Sequence, residues 1–287
     1  MQSSVSGLNV EVTNDTPPVV KLRGEADFHN KHQICEVFGK LVEDGQAIIH
    51  ADLSELAYVD SSGLAALVGC AAKASKAGGA IELLGVSDCV SRVLTLCGAA
   101  AFFDARGSDV PVCRDGEATA PSEGFWHVSD FSLPASPGAA AVARNRVADV
   151  VRSLPLSLTE GQDVLTAVGE ALANAIKHGC GCSPEMKISV KCVAGAGRLA
   201  VDIIDPGPGF DPEAVGQHTP HSLAEGGMGI YMMRELMDEV SFAFDNCTTV
   251  RLVKHLRNLT PQEPTSVGEA AGVQRRQPQE AVRDNLL

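Results

Sequence analysis

No stretch of the 287-residue chain approaches the roughly 20 consecutive apolar residues that cross a bilayer, and its opening, MQSSVSGLNVEV, has neither a basic start nor a long apolar core. The expectation is a soluble, cytoplasmic protein. Basic residues are also in deficit. Only 23 Lys and Arg stand against 36 Asp and Glu, a net charge of −13, which opposes adsorption to nucleic-acid phosphates or anionic lipid. No direct nucleic-acid or membrane partner is expected, and a protein or nucleotide partner fits the charge better. The nine cysteines lack CxxC spacing, Cys180 and Cys182 being the one close pair. That usage suits reduced thiols rather than a disulfide framework.

What is present is enough apolar material, 45% of residues, to give two domains of ordinary size a core each. Alternation in LNVEV and PPVVKLRGEAD predicts two strands, followed by a helix to about residue 43. AIIHADL and AIELLGV read as buried strands. SSGLAALVGCAAKASKAGG and SDCVSRVLTLCG read as helices stopped by glycine. These make an α/β unit over residues 5–108. Residues 107–124, GSDVPVCRDGEATAPSEG, carry turn formers and charge without apolar periodicity and predict a linker, bounded here as 109–124. A second unit, 125–258, opens with a strand in FWHVSDFSL and a helix over 138–153. A long helix follows in LTEGQDVLTAVGEALANAIKHG, with Val164, Leu165, Val168, Leu172 and Ile176 at helical spacing. MKISVKCV and GRLAVDIID predict a hairpin, and VSFAF and TTVRLVKHL two more strands. The polar stretch 259–287 is expected to be disordered.

Four short stretches of the second unit could carry chemistry, and each has an ordinary reading when taken alone. Glu170 and Asn174 share a face of the long helix, with His178 one turn further on, as many solvated polar pairs do. DPGPGFD, residues 205–211, is a glycine-containing turn after a strand. EGGMGIYMMREL sets Gly226, Gly227 and Gly229 before a helix, where backbone N–H groups are free to meet an anion. The Thr pair at 248 and 249 enters the last strand. In this order the four stretches resemble the ATP-binding fold shared by gyrase, heat-shock chaperone, histidine kinase and mismatch-repair ATPases. The similarity spans residues 125–258, and within that superfamily it is strongest to the serine kinases that act as anti-sigma factors.

The resemblance implies ATP or ADP with Mg²⁺ as the ligands. Asp205 would accept from the adenine amino group, with Gly207 and Gly209 letting the base dock. Asn174 would hold Mg²⁺, Glu170 would act as the catalytic base, and His178 would lie at the nucleotide site. The backbone at Gly227 and Gly229 would face the phosphates, and Thr249 would add a hydroxyl. Two departures stand out: Cys247 occupies a place where the family often has glycine, and the segment between Phe210 and Gly226, the expected lid, holds His218 and His221 but no Lys or Arg.

The first unit is similar to the STAS domain of anti-sigma-factor antagonists, through GEAD at 24–27 and above all VDSSGL at 59–64. Asp60, Ser61 and Ser62 all suit a helix N-cap. The resemblance makes Ser61 the phosphate acceptor, with Asp27, Asp60 and Ser62 as its partner-facing neighbours. Arg144, on the first helix of the second unit, matches an arginine that related kinases use to engage sigma factor and antagonist. The expected fold is therefore α/β and α+β: an N-terminal STAS-like β-sheet with helices, then a C-terminal Bergerat-type ATP-binding α/β sandwich. The expected function is a partner-switching regulator of transcription in which an ATP-dependent serine kinase is fused to its own kind of substrate. A sigma factor, another STAS protein, or its own STAS domain in cis or trans would be the partner, and a homodimer is compatible. The alternative is a non-catalytic, nucleotide-dependent protein-binding switch.

Overall fold

The computed structural model describes residues 7–103, 127–136, 138–195, 197–211 and 227–256. The expected linker, the expected lid with His218 and His221, and the polar tail lie outside the described residues.

The first unit is a four-stranded sheet in the order β1 (Asn9–Val12), β2 (Val19–Ala26), β3 (Ile48–Val59), β4 (Ala80–Val86). β1 runs antiparallel to β2, and the remaining pairs are parallel. Parallel neighbours need crossover connections, and α1 (Lys31–Glu43) and α2 (Ser61–Lys76) provide them. α1 buries Ile34 and Phe38, and α2 buries Leu64, Leu67 and Ala71. Strand β3 runs six residues beyond the AIIHADL stretch, to Val59, with a shift in pairing between Ala51 and Asp52. That extra length carries Tyr58 and Asp60 to the edge of the unit. After β4, α3 (Asp88–Leu96) starts on a Ser87 cap whose side chain accepts from Val90 N.

The second unit is an antiparallel sheet in the order β5 (His127–Pro134), β6 (Lys187–Gly195), β7 (Arg198–Asp205), β9 (Thr248–His255), β8 (Glu239–Ala243). Helices α4 (Ala139–Val151), α5 (Leu158–Asn174) and α6 (Met228–Leu236) accompany it. α5 begins at a reciprocal capping box. Ser157 Oγ accepts from Glu160 N at 3.2 Å, and Glu160 Oε2 accepts from Ser157 N at 3.0 Å. Val164, Val168, Leu172 and Ile176 are buried as their spacing predicts. The helix does not stay α to its end: Ala175–Gly179 form a π turn, a feature that collects at functional sites. The buried apolar side chains of both units form one contiguous cluster. The eight described cysteines are all free, and no described helix is long and apolar enough to cross a membrane.

Candidate active site

A cavity of about 700 Å³ lies where the two units meet, within the size range of small-molecule sites. The second unit contributes Asn174, Lys177 and His178 from the end of α5, Asp205, Gly209 and Phe210 from the end of β7, and Gly227 and Gly229 from the start of α6. The first unit contributes Lys31, Ser61 and Ser62. Residues from all four stretches and both serines thus share one cavity. Gly207 stands just behind it, donating its N–H to Asp205 Oδ1 at 2.8 Å.

One expected residue is displaced by a single position. Thr248, not Thr249, lines the cavity, and its hydroxyl donates to Gly207 O at 3.2 Å. In β9 the buried Val250 and Leu252 share parity with Thr248, and alternate strand residues face alternate sides. Thr249 Oγ1 lies instead 3.9 Å from Cys247 Sγ.

The serines of α2 are met by the other unit. Asp60 is the N-cap: Oδ1 accepts from Gly63 N at 2.7 Å, and Oδ2 holds the preceding loop through Phe28 N at 2.9 Å. Capping thus falls to Asp60 alone and leaves both hydroxyls free. Ser61 Oγ donates to Glu170 Oε2 at 2.7 Å, and Ser61 N donates to Glu170 Oε1 at 2.5 Å. A carboxylate at the first free N–H of a helix is electrostatically favoured. Ser62 Oγ accepts from Lys177 Nζ at 3.3 Å. Glu170 is fully buried. Burial first, then the nearby Asp60 carboxylate, raise its pKa to about 8, although the Ser61 bonds and Lys177 pull it down. Burial likewise lifts Asp60 to about 6, with Asp27 adding to the rise. Gly229 packs against the same carboxylate, and a Cβ there would fall 2.5 Å from Glu170 Oε2. Any larger residue at the start of α6 would displace it.

Around this centre the two units hold each other by contacts that motif reading only partly anticipates. Arg144 is buried, donates to Glu25 Oε2, and lays its guanidinium 3.6 Å from the centroid of the Tyr58 ring. Asp27 fixes the adjoining loop by accepting from His29 N and Asn30 N. Arg92 of α3 makes a two-pronged bond to the buried Asp163 of α5, at 2.5 and 2.7 Å. The Tyr58 hydroxyl is the one buried side-chain polar atom among the described residues without a hydrogen-bond partner. Lys177 sat in plain sight between Asn174 and His178 in the sequence. Arg92, Asp163 and Tyr58 offered no signal, because only the docked arrangement pairs them.

The sequence agrees with this geometry. Residues 133–254 match the family model described as a histidine kinase-like ATPase domain, and residues 8–113 match that of the STAS domain. Over 146 residues, 48% of the chain, it is 30% identical to the serine-protein kinase RsbW of Bacillus licheniformis, covering 91% of that protein. The chain belongs to the RsbW serine-protein kinase family. The RsbW of Listeria monocytogenes serotype 4a is 27% identical over 141 residues, covering 46% of this chain and 90% of that one. A solved anti-sigma factor antagonist from Mycobacterium paratuberculosis is 21% identical, with a TM-score of 0.33, covering 38% of this chain and 92% of that one. This RsbW-family chain thus carries the STAS and histidine kinase-like ATPase folds expected from its sequence.

The cavity suits a nucleotide on its own terms. Asp205 is buried and, among the described residues, accepts a hydrogen bond only from Gly207 N, leaving lone pairs for a donor in the cavity. Phe210 supplies an apolar wall backed edge-on by Phe242 and Phe244, at 5.3 and 5.5 Å between ring centroids. Asn174, also in the cavity lining, offers the hard oxygen that a phosphate-bound Mg²⁺ takes.

Proposed function

We propose that the protein is a partner-switching serine kinase that phosphorylates Ser61 of its own STAS domain, using ATP and Mg²⁺. The observation that carries this reading is the 2.7 Å hydrogen bond from Ser61 Oγ to Glu170 Oε2. A hydroxyl and a buried carboxylate in direct contact, one from each domain, are an acceptor and its base. The lifted pKa of Glu170 supports the role, because a base titrating near neutrality takes a proton more effectively than an ordinary carboxylate. Glu170 would take the Ser61 proton as Oγ forms its bond to the γ-phosphorus. The bond from that phosphorus to the bridging oxygen breaks, and its electron pair leaves on ADP. Asn174 would hold the metal, which supplies charge neutralisation to the phosphates. Asp205 would orient the base, with Gly227 and Gly229 letting the backbone approach the phosphates.

Partner switching follows from the shared surface. While the STAS domain is docked, it covers Arg144, Asp163 and Glu170, so an outside sigma factor or STAS protein cannot use them. A phosphate on Ser61 adds about two negative charges beside Glu170 and Asp60, which would drive the domains apart and free that surface. A second reading, a non-catalytic switch, is favoured by the lack of Lys or Arg in residues 210–226.

Purified full-length chain incubated with labelled ATP and Mg²⁺ decides between them. Phosphate should appear on Ser61, at a first-order rate independent of protein concentration if transfer is within one chain, and Ser61→Ala should abolish it. No incorporation, or equal labelling of the Ala variant, would sink the kinase reading. Asp205→Asn should cost roughly 1.5–3 kcal/mol of ATP binding, about tenfold or more in affinity, by removing a buried charged acceptor. Titration calorimetry reads this directly, and unchanged affinity would remove Asp205 from the site.

A further inference from the structure

The expected lid brings no Lys or Arg, so the positive charge available to a triphosphate must come from elsewhere. Among the described residues, the cavity is lined by three basic side chains: Lys31, Lys177 and His178. His178 is a poor source, since burial and the neighbouring Lys177 both lower its pKa. Lys177 is committed: it donates to Ser62 Oγ, lies 5.8 Å over the Phe28 ring, and acts on the carboxylates of Asp60 and Glu170. Lys31 differs. It is the first residue of α1, belongs to the STAS domain, and lines the same cavity. Its ammonium has no side-chain hydrogen bond or ion pair among the described residues.

We propose that Lys31 is a phosphate-binding residue of the kinase site, so that the docked STAS domain supplies both the acceptor hydroxyl and the cation that neutralises the terminal phosphoryl group passing to it. This inference rests on the kinase reading of the cavity. A lysine serves phosphate as a compact point charge, and its value rises where protein replaces water. The arrangement makes the site complete only when the correct acceptor is in place. An undocked kinase domain lacks the cation as well as the serine, so transfer to water is slowed along with transfer to wrong partners.

The test compares affinities of the full-length chain for a non-hydrolysable imido analogue of ATP and for ADP, each with Mg²⁺, by calorimetry. Lys31→Ala should lower affinity for the triphosphate about tenfold, as loss of a charge-assisted contact does, while ADP affinity stays within about twofold. Lys31→Arg should restore most of the difference, because the charge is kept. Lys31 is only partly buried, so the fold should tolerate all three residues. The inference is overturned by a triphosphate-to-diphosphate affinity ratio in Lys31→Ala equal to that of the parent, whether both affinities fall together or neither moves. Parent protein that binds neither ligand overturns the nucleotide reading itself, a distinguishable result.

Discussion

Glu170→Gln is expected to slow phosphate transfer to Ser61 by about 10²- to 10⁴-fold, the usual contribution of a positioned general base, while ATP affinity changes by about twofold or less. The amide is nearly the same shape as the carboxylate. Its oxygen can still accept from Ser61 N, so the start of α2 stays docked. What it cannot do is take the hydroxyl proton. The pH profile separates this role from a merely structural one. Burial and Asp60 raise the Glu170 pKa to about 8, so below that value the carboxyl is largely protonated and unable to act. The single-turnover rate should therefore climb about tenfold per pH unit and level off near pH 8. The Gln variant should show residual transfer without that climb. The same shift acts on docking with the opposite sense. A group whose pKa is raised in the docked form favours docking at low pH, in full below its ordinary carboxylate range, and that contribution is lost as pH rises through about 8. Transfer and release of the STAS domain are thus promoted together by alkalinity. A parent profile already flat at pH 6 would exclude Glu170 as the base.

The elements of both sheets were legible because their apolar residues keep strict periods. Val20 and Leu22 alternate in β2, and Val164, Val168 and Leu172 recur at helical spacing in α5. Local periodicity fails where a non-local pairing overrides it. The alternation of β3 breaks at Ser54 and Glu55, yet the strand continues because β2 remains alongside to pair Glu55, Leu56, Tyr58 and Val59. In the Thr pair the parity of Val250 and Leu252 selects Thr248 as the inward-facing residue. The candidate residues of each domain could be named from their motifs. Their meeting could not, because nothing within residues 59–64 or 170–178 encodes a distance between them. That contact depends also on side chains outside the motifs, such as Arg92 with Asp163 and the Tyr58 ring under Arg144.

Gly169→Ala should pull the two domains apart without weakening either. In α5 the position faces Tyr58 of the STAS domain, and a Cβ there would fall 2.0 Å from the tyrosine oxygen, 2.7 Å from Cζ and 3.1 Å from Cε2. No atoms pack so closely, so the ring must move. It has little room: Tyr58 is 5% exposed, and its ring face is covered by Arg144, itself tied to Glu25. Overpacking of this kind costs about 1–3 kcal/mol. Within the isolated helix the same change is favourable by about 1 kcal/mol, because alanine is the better helix former. The entire penalty therefore falls on the interface. Transfer to Ser61 within the chain should drop by roughly tenfold or more, the factor that about 1.4 kcal/mol corresponds to, with nucleotide affinity preserved. Small-angle scattering should report a larger radius of gyration for the variant. Adding Tyr58→Phe should recover part of the loss, since it removes the closest contact along with a buried hydroxyl that lacks a partner. Such a rescue is hard to obtain if Gly169→Ala acts by damaging the nucleotide site. If the Ala variant stays as compact as the parent and labels Ser61 at the parent rate, then Tyr58 and Gly169 do not hold the domains together, and the docking surface must be sought around Arg92 and Asp163 instead.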